Sequence, residues 1–246
     1  MTRTPGTLRV FDTPADVARA LADLFVDRAR DAIAQRGHFA VALAGGSTPK
    51  ATYTLLAQAP YADAIDWAKV LFFFGDERCV PPDDDQSNYK MADRTMLGPL
   101  CIPPEHIHRM AGEDVPEHAA AVYRIDLVAT LSPNPHFDLV MLGMGPDGHT
   151  ASLFPGTDPL SGDEHLVRAV YSQSQQQWRI TLTPRVLSGA HTIVFAVEGA
   201  GKAQTLAAVR EGPYDPEKYP SQIISPVHGE LIWLVDAAAA AALTRA

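Results

Sequence analysis

Asp147, Gly148 and His149 stand just behind an apolar run, with further glycines at 143 and 145. A neutral imidazole is basic near pH 7. A carboxylate two residues away either orients the ring or contacts a substrate hydroxyl. A loop histidine satisfied by ordinary hydrogen bonds is the plainer reading, but two companion loops weigh against it. In Gly45-Gly46-Ser47-Thr48-Pro49 the glycines let backbone N–H groups approach an anion closely. Ser47 and Thr48 add hydroxyls. Pro49 suits the first turn of a helix, whose N-terminus favours negative charge. By itself this segment reads equally as a strand-to-helix turn with a cap. Gly75-Asp76-Glu77-Arg78 is the other polar loop behind an apolar run.

Other chemistries fit less well. Gly143, Gly145 and Gly148 have the spacing of a dinucleotide fingerprint, which needs a long helix after the last glycine. Pro155-Gly156 interrupts after a few residues, and Pro146 offers no N–H. There is no Gly-x-Ser-x-Gly elbow for a serine nucleophile. His106 and His108 are two apart but have no companion ligands, so no metal is expected. No cofactor is expected either.

The elements that must position these loops alternate along the chain. Asp16 to Gln35, Pro49 to Gln58, Ser87 to Leu97, Glu117 to Leu131 and Lys202 to Arg210 read as helices. Phe39 to Leu43, Val70 to Phe74, Phe137 to Leu142, Ile180 to Leu182, Thr192 to Val197 and Leu231 to Val235 read as strands. Apolar runs without alternation suit strands buried on both faces. The pattern predicts an α/β fold: a three-layer, mostly parallel, Rossmann-like sheet with helices on both faces. If the strands are parallel, all three loops emerge on one edge, where ligands bind in such sheets. No linker divides the chain, so residues 1–246 are expected to form a single domain, with Glu211 to Pro220 as a surface loop.

The chain has 246 residues, 46% of them hydrophobic, and a formal net charge of -9. That balance argues against a nucleic-acid or membrane-surface partner. An acidic chain holds an anion only by gathering a few cations locally. Cys79 and Cys101 form no C-x-x-C pair and read as reduced thiols. Met1 to Val10 carries no apolar segment of an export signal. The C-terminal apolar stretch is split by Asp236 into a strand and an alanine-rich helix. A cytoplasmic location is expected, with the chain a monomer or weak dimer.

Taken in order, Gly45-Gly46-Ser47-Thr48-Pro49, Gly75 to Arg78, Ser87-Asn88-Tyr89, Gly143 to Pro155, Arg179 to Thr183 and Gly201-Lys202-Ala203 resemble the 6-phosphogluconolactonase family. The resemblance implies hydrolysis of 6-phospho-D-glucono-1,5-lactone in the oxidative pentose phosphate pathway. It implies His149 as general base, with Arg78 and Asp147 at the lactone end. It assigns the phosphate to Gly45, Gly46, Ser47, Thr48, Arg179 and Lys202. Asp76, Asn88, Gly145 and Gly148 complete the pocket, and a sugar phosphate is the partner. Glucosamine-6-phosphate deaminases share the phosphate loop and Asp-Gly-His. They carry Asp-Glu-Tyr where Asp76-Glu77-Arg78 stands and a glutamate where Phe154 stands, so this chain resembles the lactonases more. A non-catalytic sugar-phosphate sensor is the third reading, but it would not need Asp147 and His149.

Overall fold

The apolar runs become strands because both of their faces are covered. In the computed structural model, which describes residues 6–157 and 165–244, every residue of Phe39–Leu43 (β2), Leu139–Leu142 (β5) and Thr192–Val197 (β8) is buried. Val70–Phe74 (β3) and Glu230–Asp236 (β9) are buried but for one residue each. With Thr7–Phe11 (β1) they make, among the described residues, a six-stranded parallel sheet in the order β1-β9-β8-β5-β2-β3. Parallel neighbours need crossover connections, and helices supply most of them. Pro14–Arg36 (α1) starts where the Thr13 side chain accepts from Asp16 N and stops at Gly37, which takes a left-handed conformation. It covers one face with Ser47–Leu56 (α2). Pro116–Leu131 (α4) and Ala203–Glu211 (α6) cover the other. Successive residues of β2 divide accordingly: Val41 and Leu43 join the first core, Ala40 and Ala42 the second.

Several elements differ from the sequence reading. Asp76–Arg78 is a short strand (β4), not a loop. It pairs antiparallel with Gln177–Leu182 (β7), which pairs in turn with Val167–Ser172 (β6). The Ile180 to Leu182 strand therefore belongs to a separate three-stranded antiparallel sheet. That sheet packs Val167, Ile180 and Leu182 into the same core as α4. β6 shows no apolar run in the sequence, because Arg168 interrupts it and Ser172 ends it. β1 is a sheet edge with no buried residue, so its sequence carries no apolar run. The Ser87 to Leu97 helix is two pieces, Asn88–Ala92 (α3) and a π-helical turn, Asp93–Leu97. α2 begins two residues before Pro49. The alanine-rich C-terminal helix spans only Ala237–Ala240 (α7), after Pro184–Ser188 (α5) and α6. Residues 1–5, part of the segment read for an export signal, lie outside the described residues. No helix of the described residues is long and apolar enough to cross a membrane.

The strand order locates the site. β2 and β5 are neighbours, yet the chain leaves β2 toward β3 on one side and leaves β5 toward β8 on the other. Their following segments diverge, and a crevice opens at their carboxyl ends. Gly45 to Thr48 and Gly143 to His149 form its two lips.

Phe73 joins β3 to the core beneath α4, where it meets Tyr123 edge-on. It is fully buried, stacks on His108 at 4.2 Å and meets Phe137 edge-on at 5.3 Å. Phe73→Ala should lower unfolding free energy by about 3–5 kcal/mol, read from denaturant unfolding. A loss under about 1 kcal/mol would contradict this packing.

Candidate active site

The loop after β5 is folded back on itself and clamped from outside. Gly145 N donates to His149 O at 2.8 Å, Gly148 N to Gly145 O at 3.0 Å, and Thr150 Oγ1 to Gly143 O at 2.8 Å. From outside, Ser221 donates to Gly148 O through both its N–H and its hydroxyl, and Thr205 Oγ1 donates to Pro146 O. Gly148 has a φ of +81°, and a Cβ there would press into Tyr219. A Cβ at Gly145 would overlap both His149 Nδ1 and Asp147 Oδ1. Only glycine at 145 allows those two groups to meet.

They meet at 2.6 Å, Asp147 Oδ1 to His149 Nδ1. An ionised carboxylate only accepts hydrogen bonds, so it draws the ring proton to Nδ1. The basic lone pair is left on Nε2. His149 lines the cleft, and its side chain is 22% exposed. Phe154 packs against the ring with centroids 4.7 Å apart. Asp147 and Gly148 do not line the cleft; Asp147 acts on it through His149. Burial pushes the Asp147 carboxyl up, but the hydrogen bonds and charge of His149 outweigh it and hold the group below the ordinary carboxylate value.

The facing lip is the N-terminus of α2. Gly46 is its cap, with a φ of +112°. Ser47 and Thr48 are its first two residues, so their amides have no acceptor within the helix. A Cβ at Gly45 would overlap the Asn88 side chain. Ser47 Oγ donates to Glu198 Oε1 at 2.5 Å.

Cations come from the small sheet. Arg78 and Arg179 are directly opposite each other across β4 and β7, a position where like charges destabilise a sheet. Neighbouring groups offset this. Arg78 donates to Asn88 Oδ1 and to Gln86 O. Arg179 donates to Gln175 Oε1 and has NH1 3.9 Å from Asp76 Oδ2. The Nε of each arginine remains buried without a partner. Two facing guanidinium groups with unused buried donors on a cleft wall suit an anion. Burial lowers the Arg179 pKa, and the nearby Asp76 charge partly restores it. Lys202 is likewise lowered by burial; it donates to Met144 O at 2.8 Å and so ties the β8–α6 turn to the histidine loop.

One cleft of about 270 Å³ is therefore lined by Gly45, Gly46, Ser47, Thr48, Asp76, Arg78, Asn88, Gly145, His149, Arg179 and Lys202. These residues come from separate segments of the chain. Four supporting residues are given no site role by the sequence, although Glu77 stands in the Gly75 to Arg78 segment and Ser152 in the Gly143 to Pro155 segment. Glu77 is buried and accepts from Ser87 Oγ and from the amides of Arg78, Asn88 and Tyr89, which docks α3 against β4. Ser152 donates to Asp76 Oδ2 at 2.6 Å. Gln175 lies in the β6–β7 hairpin, which no apolar run announces in the sequence. Glu198 directly follows β8, and the rule that ligands gather beyond parallel strands would have marked it. Cys79 is half-buried, which pushes its thiol up to about 11. Among the described residues, no group of three or more His, Cys, Asp or Glu could hold a metal ion.

The family model described as glucosamine-6-phosphate isomerases/6-phosphogluconolactonase matches residues 12–233. The chain is 41% identical to the 6-phosphogluconolactonase of a Nostoc species over 238 residues, 95% of this chain and 96% of that one. Among solved structures, the Trypanosoma brucei 6-phosphogluconolactonase superposes with a TM-score of 0.88 at 27% identity, covering 99% of this chain and 100% of that one. A monomeric glucosamine-6-phosphate deaminase shares the fold, with a TM-score of 0.81 at 21% identity over 96% of this chain and 99% of that one.

The Asp147–His149 contact has a consequence for stability. A carboxyl held below its ordinary value of 3.8 stabilises the folded state fully above that pH, and the contribution fades as pH falls through the depressed value. Asp147→Asn lacks this titration. The difference in denaturant midpoint between wild type and the variant should shrink as the pH drops below about 3.8. A constant difference down to about pH 2.5 would exclude the linkage.

Proposed function

The chain belongs to the glucosamine-6-phosphate isomerase/6-phosphogluconolactonase family, and on that premise we propose that it hydrolyses 6-phospho-D-glucono-1,5-lactone to 6-phospho-D-gluconate, with His149 as general base. The reaction belongs to the oxidative pentose phosphate pathway, and the cytoplasm is the setting we propose. One observation carries the reading: an imidazole oriented by a carboxylate and a set of anion-holding groups line the same cleft.

The steps follow from the chemistry of a cyclic ester. Water attacks C1 while His149 Nε2 takes one of its protons. The carbonyl oxygen gains negative charge, which Arg78 or loop N–H groups stabilise. The tetrahedral intermediate then collapses and the bond from C1 to the ring oxygen breaks. The imidazolium returns its proton to that oxygen, leaving a hydroxyl and a carboxylic acid that ionises. Asp147 holds the ring in the tautomer this needs and steadies the imidazolium. The substrate phosphate, held by Gly46, Ser47, Arg179 and Lys202, keeps C1 in register with the water.

Phe154 favours the lactonase over the deaminase reading. The deaminase pattern has a glutamate at this place, and here an aromatic ring packs on His149. A phenyl ring transfers no proton, so aminosugar ring opening lacks an acid-base group.

Freshly prepared 6-phosphogluconolactone should be hydrolysed and glucosamine 6-phosphate left untouched; deamination of the latter would reverse the choice. His149→Ala should lower kcat by about 10²–10⁴-fold with KM little changed, and wild-type turnover in that variant would remove His149 from its role. Arg179→Ala should raise KM for the phosphorylated lactone, measured by initial rates. An unchanged KM would detach Arg179 from the phosphate.

A further inference from the structure

Glu198 is an acidic side chain where the proposed function needs an anion seat. It directly follows β8, lines the cleft beside Ser47 and Lys202, and accepts the Ser47 hydroxyl at 2.5 Å. Ser47 opens α2, whose N-terminus attracts a carboxylate for the same reason it attracts a phosphate. The backbone beneath Glu198 is held firmly. Gly199 N donates to both carboxylate oxygens of Asp236 at 3.0 Å. Asp236 is buried and also caps α7 through Ala239 N at 2.7 Å. Gly199 itself has a φ of +91°, a conformation that suits glycine. With that turn fixed, side-chain rotation is the motion left open to Glu198.

We infer that Glu198 is an internal competitor for the phosphate seat: its carboxylate holds the Ser47 hydroxyl in the free protein and must yield it to the phosphate of substrate or product. The inference rests on the phosphate reading of the α2 N-terminus. A serine hydroxyl has one hydrogen to donate, so carboxylate and phosphate cannot both receive it. A phosphate monoester carries up to two negative charges, and crowding it against a carboxylate costs affinity. The cost falls on phosphorylated substrate and product alike. Glu198 thus sets how tightly the phosphorylated end is held, and its return to Ser47 favours product departure, a step that often limits turnover.

Glu198→Gln keeps the shape and removes the charge. Calorimetric titration of wild type, Glu198→Gln and Glu198→Ala with 6-phosphogluconate and with gluconate separates the outcomes. Both variants should bind 6-phosphogluconate about tenfold more tightly, as expected for relief of one like-charge contact near a protein surface. Gluconate affinity should not change, and KM for the phosphorylated lactone should fall in parallel without a rise in kcat. Tightening in Glu198→Ala as well excludes a new hydrogen bond from glutamine as the cause. Equal or weaker binding of 6-phosphogluconate by either variant overturns the inference and leaves the seat standing. A wild-type protein that binds 6-phosphogluconate no better than gluconate removes the seat itself, and the inference with it.

Discussion

The hydrogen bond from His149 Nδ1 to Asp147 Oδ1 sets terms that much of the surrounding structure meets. Two side chains that are two residues apart face each other only in a tight loop, and a tight loop needs room. Gly145 provides the room, since any side chain there would occupy the place of the pair itself. Gly148 supplies the left-handed turn that brings His149 back over the loop. Ser221 and Thr205 then hold the loop's carbonyls from two other elements. The loop is thereby held in one arrangement, with Asp147 and His149 fixed against each other.

Charge is the second constraint. The chain is acidic overall, yet the cleft gathers Arg78, Arg179 and Lys202. Two of these face each other across paired strands, which costs stability unless acceptors stand close by. Asp76, Asn88 and Gln175 are those acceptors, and Glu77 anchors the segment that carries Asn88. The small antiparallel sheet exists at this edge of the molecule as the platform that points two guanidinium groups into a crevice built by the parallel sheet. Glu198 completes the balance on the opposite lip, where a carboxylate rests at the helix N-terminus.

These features join one architecture to one kind of chemistry. A parallel sheet whose connections diverge at β2 and β5 offers a crevice to any small ligand. What narrows the ligand is the separation of tasks along it. One lip carries an oriented imidazole packed against Phe154, the other carries amides and hydroxyls, and the cations come from the small sheet and the β8–α6 turn. The proposed lactone, with an electrophilic carbon at one end and a phosphate at the other, suits that division.

The local physics of the chain determined a good deal on its own. Unbroken apolar runs at Phe39, Val70 and Thr192 announced strands buried on both faces, because few other arrangements absorb so many adjacent hydrophobic residues. Glycines beside Ser47 and His149 marked the two loops that become the lips of the cleft, since backbone conformation is encoded residue by residue. Partners distant in the chain were another matter. The facing of Arg78 and Arg179, the grip of Glu198 on Ser47 and of Lys202 on the Met144 carbonyl, and the strand at Val167 arise from packing between segments that share no local signal. β1 and β6 lack apolar runs because one is a sheet edge and the other is interrupted by polar residues, so only pairing with neighbours makes them strands. Residue types and spacing picked out the candidates; the folded sheets decided which of those residues share a cleft, because distance in space is set by long-range packing that no short stretch of sequence contains.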